Sequence, residues 1–327
     1  MIGFDPKFRD FSDYILGITH EIWEERGVDT LNHYYAPDIV VRSPASVVIG
    51  NQTVIDATLA TLAEFPDRQL LGEDVIWSGT PEDGMLSSHR ILSTATHASD
   101  GVYGPATGTK LVYRVIADCH AIANQINDEW LIRDQGAIVR QLGQTPREFT
   151  RAQIVREGGH NASSRPFTPA ADKSGPYTGH GNDNEWGLRY ADALAALMEG
   201  KDADAAYDRA IHGEYAGGLT THGREGPLMF WNGLRQAFPS ARFTIHHRIG
   251  RDDPLMPPRA AIRWSLDGTH DGPGPFGPPT GAYVHVMGMA HAEFGALVTG
   301  QPLIRREYAL IDETAIWKQI LLHTGET

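Results

Sequence analysis

Cysteine is almost absent from this sequence: Cys119 is the only one in 327 residues. A single thiol excludes an internal disulfide and a zinc site built from cysteines. Cys119 lies in an apolar run, where we expect a small buried side chain. Basic residues are also scarce, with 28 Lys and Arg against 41 Asp and Glu and no dense basic run. The net charge of −13 therefore argues against nucleic acid or an acidic membrane surface as a partner.

Long apolar runs are missing as well. No stretch approaches the ~20 residues of a membrane-spanning helix, and the first residues lack the cationic start and apolar centre of a signal peptide. We therefore expect a cytoplasmic protein. The 15 histidines match no familiar ligand spacing. His285 and His291, six residues apart on one predicted strand, would stand about 20 Å apart, and we expect neither a metal nor another cofactor.

The sequence does contain a second copy of itself, 173 positions after the first. His97 is followed by a Gly-Pro-x-Thr-Gly loop, and so is His270. An arginine, Arg90 or Arg263, lies seven residues before each histidine. The register holds without a gap across most of a domain, which indicates a duplication.

The repeat and the composition together predict two domains. We expect one domain over 1–157, a linker rich in Gly, Pro, Ser and Asn over 158–183, and a second domain over 184–327.

Both copies predict helices first and strands after them. In the first copy we predict helices over 14–23, 29–35, 52–64 and 145–157, a hairpin or broken strand over 38–49, and strands over 70–78, 84–97, 110–123 and 125–139. In the second copy we predict helices over 188–198, 203–211 and 227–237, and strands over 242–248, 260–270, 282–292 and 303–321. This order is typical of an α+β fold, with the helices on one face of an antiparallel sheet. Such a sheet can curl into a cone around a pocket.

Strand alternation gives each copy one candidate catalytic acid. Trp130 and Asp134 point to one side of the last strand of the first copy, and Tyr308 and Asp312 do so in the second. A carboxylate on such an apolar face would have a raised pKa, which suits general acid/base chemistry. Alternatively, each aspartate caps the turn at the strand end or pairs with an arginine such as Arg133.

The histidines before the Gly-Pro loops are a second candidate. His97 lies on one strand face, and in the second copy His270 shares its face with Trp264. Each histidine would act as a proton shuttle at the mouth of the pocket, or would instead hold the loop through a hydrogen bond to its backbone.

The third strand distinguishes the copies. Its face carries Asp118 and His120 in the first copy, and His291 takes the place of Asp118 in the second. An ion pair between Arg114 and Asp118 is a purely structural alternative. The two pockets thus differ in chemistry, and at most one is expected to keep an ancestral activity unchanged.

The end of the first copy allows a comparison with a known family. Glu-Trp-Leu-Ile-Arg-Asp at 129–134, followed by Val-Arg-Gln-Leu-Gly at 139–143, resembles the SnoaL-like polyketide cyclases of the nuclear-transport-factor-2-like (NTF2-like) superfamily. The resemblance covers both copies, about 10–143 and 184–321. It implies two tandem cone-shaped α+β domains. Cyclases of this family close a polyketide ring by an aldol reaction without a cofactor.

The resemblance also implies roles for particular residues. The catalytic acid of the family corresponds to Asp134, and to Asp312 in the second copy. The assisting histidine falls in the region of His120 or Asp118. The second copy has Glu293 and His291 there, and Tyr308 in place of Trp130, so that pair is not preserved.

These observations predict a cofactor-independent acid/base enzyme. It would perform an aldol-type cyclisation, an isomerisation or a dehydration on a small carbonyl-bearing, polyketide-like substrate. The remaining candidates for substrate binding are Trp130, Tyr113 and Arg90 in the first copy, and Tyr308 and Trp264 in the second. The alternative is a non-catalytic module that binds a small molecule or serves dimerisation. NTF2-like domains commonly pair through their sheets, so we also expect an intramolecular pseudo-dimer of the copies, which can assemble further into a homo-oligomer.

Overall fold

The computed structural model describes residues 1–295 and 301–326, which form two compact units. Unit 1 comprises Met1–Thr145 and Phe167–Gly179, and unit 2 comprises Pro146–Pro166 and His180–Thr327. The units follow the two sequence copies, except in the connection between them. Nearly all of the helix predicted over 145–157 groups with unit 2, and Phe167–Gly179 of the predicted linker groups with unit 1.

Unit 1 alternates helices with a hairpin before its long strands. Its elements are α1 (Phe11–Trp23), α2 (Leu31–Tyr34), β1 (Tyr35–Ser43), β2 (Ser46–Ile49), α3 (Asn51–Glu64), β3 (Gln69–Thr80), β4 (Gly84–Thr96), β5 (Lys110–Ile122), β6 (Gln125–Arg133) and α4 (Gln135–Gln141).

Unit 2 repeats this order. Its elements are α5 (Pro146–Arg156), α6 (Glu185–Met198), β7 (Tyr207–Tyr215), β8 (Leu219–His222), α7 (Glu225–Ala237), β9 (Arg242–Arg251), β10 (Arg259–Thr269), β11 (Tyr283–Gly295), β12 (Leu303–Ile311) and α8 (Glu313–Thr324).

Each unit has one six-stranded sheet. The strand order is β2-β1-β6-β5-β4-β3 in unit 1 and β8-β7-β12-β11-β10-β9 in unit 2. All neighbours are antiparallel except β1 with β6 and β7 with β12. The sheet is therefore mixed, because the short hairpin returns to pair with the last strand. The prediction of an α+β fold is confirmed. The sheet was expected to be antiparallel, and the structure shows one parallel pair in each unit.

The helix α1 shows how the pattern of the sequence forms one wall of the fold. Asp10 caps it by accepting a hydrogen bond from the Asp13 backbone N–H at 2.8 Å. Its buried residues recur every three or four positions and therefore share one face. They are Phe11, Tyr14, Ile15, Ile18 and Ile22. This face packs on the sheet and, in its second half, lines a cavity.

Two predicted strands were too long, for the same reason in both units. The strand predicted over 125–139 ends at Arg133, and that over 303–321 ends at Ile311. The next residue, Asp134 or Asp312, accepts hydrogen bonds from backbone N–H groups of the following turn and so starts a short helix. The apolar runs that follow belong to α4 and α8.

The helix predicted over 203–211 was wrong. Residues 207–215 form β7, in which Tyr207, Ile211, Gly213 and Tyr215 alternate as buried positions. The four alanines of this short run imitate a helical pattern, whereas pairing with β12 stabilises the strand.

Candidate functional site

Unit 1 has a partly open cavity of about 220 Å³ between its helices and one face of its sheet. Its walls are mainly apolar side chains from α1, α3 and the long strands. Its polar lining is confined to a few side chains, among which are Glu129, His89, Arg68, Arg133, Thr58 and Ser43. An apolar cavity with a few converging polar groups is the usual form of a small-molecule site.

Glu129 is the acid of this cavity. It lies on β6, is only 7% exposed, and its Oε2 has no hydrogen-bond partner among the described residues. Burial raises the pKa of its carboxyl group to about 7, although hydrogen bonds from the Tyr35 hydroxyl and the Cys119 thiol act against this rise. Glu129 therefore exchanges a proton near neutral pH, as a general acid or base must.

His89 faces the same cavity from β4. Burial lowers the pKa of its imidazole to about 4, so the ring is neutral at physiological pH. Its Nδ1 lies 3.2 Å from the Ser87 hydroxyl. With Nδ1 used in this contact, the neutral ring can offer its Nε2 to a ligand without adding charge to the cavity.

Asp134 and Trp130 lie away from this cavity. The side chains of β6 alternate, so that Glu129, Leu131 and Arg133 line the cavity while Trp130 points to the opposite side. Asp134 is buried, and its carboxylate accepts a hydrogen bond from the Ala137 backbone N–H at 2.9 Å. This is the capping role that the sequence offered as the alternative.

The ring of Trp130 packs against other parts of unit 1. The guanidinium of Arg42 lies 4.5 Å from the centre of the ring, and Tyr177 meets it edge-on at 6.4 Å. The predicted aromatic wall therefore belongs to the other face of the sheet. Both faces of β6 bury apolar residues, so alternation alone does not reveal which face is concave.

His97 holds its loop. Its Nε2 lies 3.1 Å from a Glu64 carboxylate oxygen, and its Nδ1 lies 3.1 Å from the Thr107 hydroxyl. The same carboxylate accepts hydrogen bonds from the backbone N–H groups of Val102 and Tyr103. This network joins α3 to the Gly-Pro loop and does not reach the cavity lining.

Asp118 and His120 face away from the cavity on β5, whose cavity side carries Val115, Ala117 and Cys119. His120 contacts Asn127, with 2.6 Å between its Nδ1 and the amide oxygen. Burial lowers the pKa of this imidazole.

Arg90 and Tyr113 also have defined places. Arg90 and Arg114 both bind Glu73, each through an Nε–Oε2 contact of 2.9 Å. Tyr113 lies on the cavity side of β5, beside the lining, with its ring centre 5.8 Å from the guanidinium of Arg68.

In unit 2, large side chains take the place of the cavity lining. Thr58 and Ile91 correspond to Trp231 and Trp264, 173 positions later, and Ser43 corresponds to Tyr215 by its position in the paired strands. The two indole rings are fully buried with their centres 5.2 Å apart. The space that is open in unit 1 is thus filled by aromatic rings.

Two glycines make room for these rings. A Cβ on Gly288 would lie 2.1 Å from the Trp264 ring, and one on Gly213 would lie 2.4 Å from the Tyr215 ring. The corresponding residues in unit 1 are Val115 and Val41, both of which line the cavity. In unit 2, the rings of Trp264 and Tyr215 are therefore each accompanied by a glycine where unit 1 has a valine.

Glu307, the counterpart of Glu129, has a different environment. Its carboxyl group accepts hydrogen bonds from the hydroxyls of Tyr190, Tyr207 and Tyr215 at 2.7–2.9 Å, and from the Trp231 indole at 3.3 Å. Burial raises the pKa of this group, and the four donors lower it in part. Because both oxygens of Glu307 already accept hydrogen bonds from core side chains, this carboxyl group holds the core together and leaves no position for a ligand.

The other residues predicted in unit 2 have structural contacts among the described residues. Asp312 caps α8 through the backbone N–H groups of Thr314 and Ala315, and burial raises its pKa to about 6. His270 contacts the Thr280 hydroxyl at 2.9 Å. His291 and Tyr308 are buried neighbours on β11 and β12. Trp264, expected to bind substrate, is part of the filled core.

Glu129 and Arg68 were missed by the sequence reasoning. The signal was present, because a glutamate precedes the aromatic residue in the last strand of both copies. Within the described residues, no group of three or more His, Cys, Asp or Glu side chains is arranged to hold a metal ion. None of the described helices is long and apolar enough to span a membrane.

Helices packed in a cone on one face of a curved six-stranded sheet, twice in tandem, define the NTF2-like class of α+β proteins. Residues 14–142 match the family model of the SnoaL-like polyketide cyclases, and residues 188–296 match that of the SnoaL-like domain. The chain thus contains two SnoaL-type domains in tandem.

Three solved structures each cover about two fifths of this chain. IdmH from Streptomyces antibioticus is 22% identical and covers 41% of this chain and 98% of its own length, with a TM-score of 0.35. A protein from Acidithiobacillus ferrooxidans is 21% identical over 41% of this chain and 94% of its own, with a TM-score of 0.36. A SnoaL-like polyketide cyclase from Agrobacterium tumefaciens is 18% identical over 42% of this chain and its full length, with a TM-score of 0.34. No curated protein matches the sequence.

Proposed function

We propose that unit 1 is a cofactor-independent acid/base catalyst for a small carbonyl-bearing molecule of the polyketide type, and that Glu129 moves the proton. The observation that supports this proposal is the environment of Glu129. Burial raises the pKa of Glu129 to about 7, one of its oxygens has no hydrogen-bond partner among the described residues, and it lines a mainly apolar cavity.

The proposed step is the removal of a proton from the carbon next to the carbonyl group. The ionised carboxylate of Glu129 takes the proton, and the electron pair of the C–H bond moves to the carbonyl oxygen to give an enolate. The protonated Glu129 then returns a proton to carbon or oxygen. This step is common to aldol cyclisation, isomerisation and dehydration. The small volume of the cavity favours a compact ligand.

Asp134 is the second candidate for the acid. The family resemblance implies it, and it is a buried carboxyl group that follows the same strand. Its hydrogen bond to the Ala137 backbone stabilises the charged form and favours a capping role. One experiment can separate the two carboxyl groups.

The test is exchange of carbon-bound hydrogen in deuterated buffer, with 2-tetralone as a compact apolar ketone. Proton NMR would follow loss of the signal from C1. We expect the wild-type protein to accelerate exchange above the buffer rate, and Glu129→Gln to abolish most of this acceleration. The rate should rise with pH through about 7, because the carboxylate is the active form.

Asp134→Asn is the matched control and should retain exchange. Exchange that survives in Glu129→Gln and disappears in Asp134→Asn would assign the reaction to Asp134. No acceleration by the wild-type protein, combined with tight binding of the ketone, would instead support the non-catalytic binding module.

A further inference from the structure

We infer that the cavity of unit 1 accepts an apolar ligand that carries an anionic oxygen group, such as a carboxylate or an enolate, and that Arg68 binds this group. The inference deepens the proposed function, because it concerns the ligand of the same cavity. It rests on the side chains around Arg68 and on a comparison with the other buried arginines and with unit 2.

Arg68 is a buried cation with unused hydrogen-bonding capacity. It is 2% exposed and lines the cavity. Its Nε donates to the Ser93 hydroxyl at 3.3 Å, and its Nη1 has no hydrogen-bond partner among the described residues. The guanidinium lies 4.3 Å from the centre of the Trp23 ring and 5.8 Å from that of Tyr113, so neighbouring rings fix its orientation.

A carboxylate is missing from the contacts of Arg68. Among the described residues, none of its hydrogen bonds or ion pairs is to Asp or Glu, although Glu129 lines the same cavity. Two other buried arginines of unit 1 are neutralised: Arg42 binds Asp128 and Asp172, and Arg90 binds Glu73. Burial of a cation without a counter-charge is costly, and an anionic ligand would offset that cost.

The electrostatic field at this end of the cavity is positive. Burial raises the pKa of the Tyr113 phenol, but the guanidiniums of Arg68 and Arg133 outweigh burial and leave that pKa below its usual value. Burial lowers the pKa of Arg68 itself to about 10, so it keeps its charge at neutral pH. An anionic oxygen would be stabilised at the same place.

The filled unit lacks this cation. The residue 173 positions after Arg68 is Ala241, and the residue that replaces Arg133 next to the capping aspartate is Ile311. The guanidinium of Arg68 thus occurs in the unit that has the open cavity. In unit 2 the equivalent residue has no charge, and aromatic rings fill the equivalent space. This correlation fits a role in ligand binding better than a role in the fold.

The test uses a charged and a neutral ligand of similar shape, 2-naphthoate and 2-naphthamide. Isothermal titration calorimetry on the full chain would give both dissociation constants. We expect the wild type to bind naphthoate about tenfold more tightly than the amide, as charge-assisted hydrogen bonds allow. Arg68→Met should remove this preference, whereas Arg68→Lys should keep part of it. The control Arg9→Met, which removes an exposed cation, should leave it unchanged.

The inference is overturned if the wild type binds both compounds equally, or if Arg68→Met keeps the preference for naphthoate. Glu129→Gln separates this inference from the proposed catalysis. If Glu129→Gln loses exchange of tetralone hydrogen and the wild type binds naphthoate and the amide equally, the proposed function is supported and the anion site is excluded. If the wild type prefers naphthoate but does not accelerate exchange, the anion site is supported and the proposed catalysis is excluded.

Discussion

The same residue type has opposite roles at two equivalent positions. Glu129 has an open oxygen in an apolar cavity, whereas the four donors around Glu307 use both of its oxygens. The surrounding residues, not the glutamate itself, determine which carboxyl group can exchange protons with a ligand.

The raised pKa of Glu129 predicts a pH dependence of stability. A carboxyl group whose pKa rises on folding stabilises the protein when protonated, and this contribution is lost as the pH rises from about 4.5 to about 7. At about 1.4 kcal/mol per pKa unit, the loss is roughly 3 kcal/mol. Urea denaturation at pH 5 and pH 7.5 should therefore show a smaller decrease in the free energy of unfolding for Glu129→Gln than for the wild type. Equal decreases would contradict the raised pKa.

The sequence predicted the family, the tandem copies and the α+β class, but the acid that it singled out, Asp134, lies away from the cavity of unit 1. The hydrophobic pattern defines two faces on β6 without showing which face is concave, because residues on both faces are buried. The apolar neighbours of Asp134 and Asp312 suggested a desolvated acid, whereas each carboxylate caps a helix. The roles of the predicted catalytic residues stay predictions, as does the pseudo-dimer.

At the scale of elements, one pair of neighbouring strands shows how the two units differ. Ile91 on β4 faces Val115 on β5, and at the same register Trp264 on β10 faces Gly288 on β11. The indole ring fits only because the facing residue has no side chain. Each pair is a matched combination of large and small residues.

This matched pair can be transferred to unit 1. We expect Ile91→Trp alone to destabilise the protein by about 1–3 kcal/mol, since the new ring would overlap Val115. Adding Val115→Gly should restore much of that loss and fill the cavity. Calorimetry with 2-naphthamide should then detect no binding to the double variant. Binding equal to that of the wild type would show that the ligand uses another site.

At the scale of the whole molecule, duplication has produced one open unit and one filled unit. The acid Glu129, the neutral imidazole of His89 and the cation Arg68, which binds no carboxylate among the described residues, all line the cavity of unit 1. In unit 2, Ile262 replaces His89 and Ala241 replaces Arg68. We therefore expect the chemistry of the chain to reside in its first half.

Glu307→Gln tests this division. In contrast to Glu129→Gln, this change at the equivalent position should lower stability and leave exchange intact. We expect unfolding in urea to become easier by about 2 kcal/mol, because buried donors lose their charged or acidic partner, while tetralone exchange stays at the wild-type rate. A loss of exchange with unchanged stability would place the active carboxyl group in unit 2.

The connection between the copies crosses from one unit to the other three times. The helix α5 groups with unit 2, the chain returns to unit 1 over Phe167–Gly179, and it then enters unit 2 again. On that return, Asp172 binds Arg42 and the Tyr177 backbone N–H binds Asp128. No single cleavage of the backbone can therefore release two complete domains. A gene fragment ending at 145 or at 157 would encode a first unit without Phe167–Gly179, and that unit would lose the contacts of Asp172 with Arg42 and of Tyr177 with Asp128.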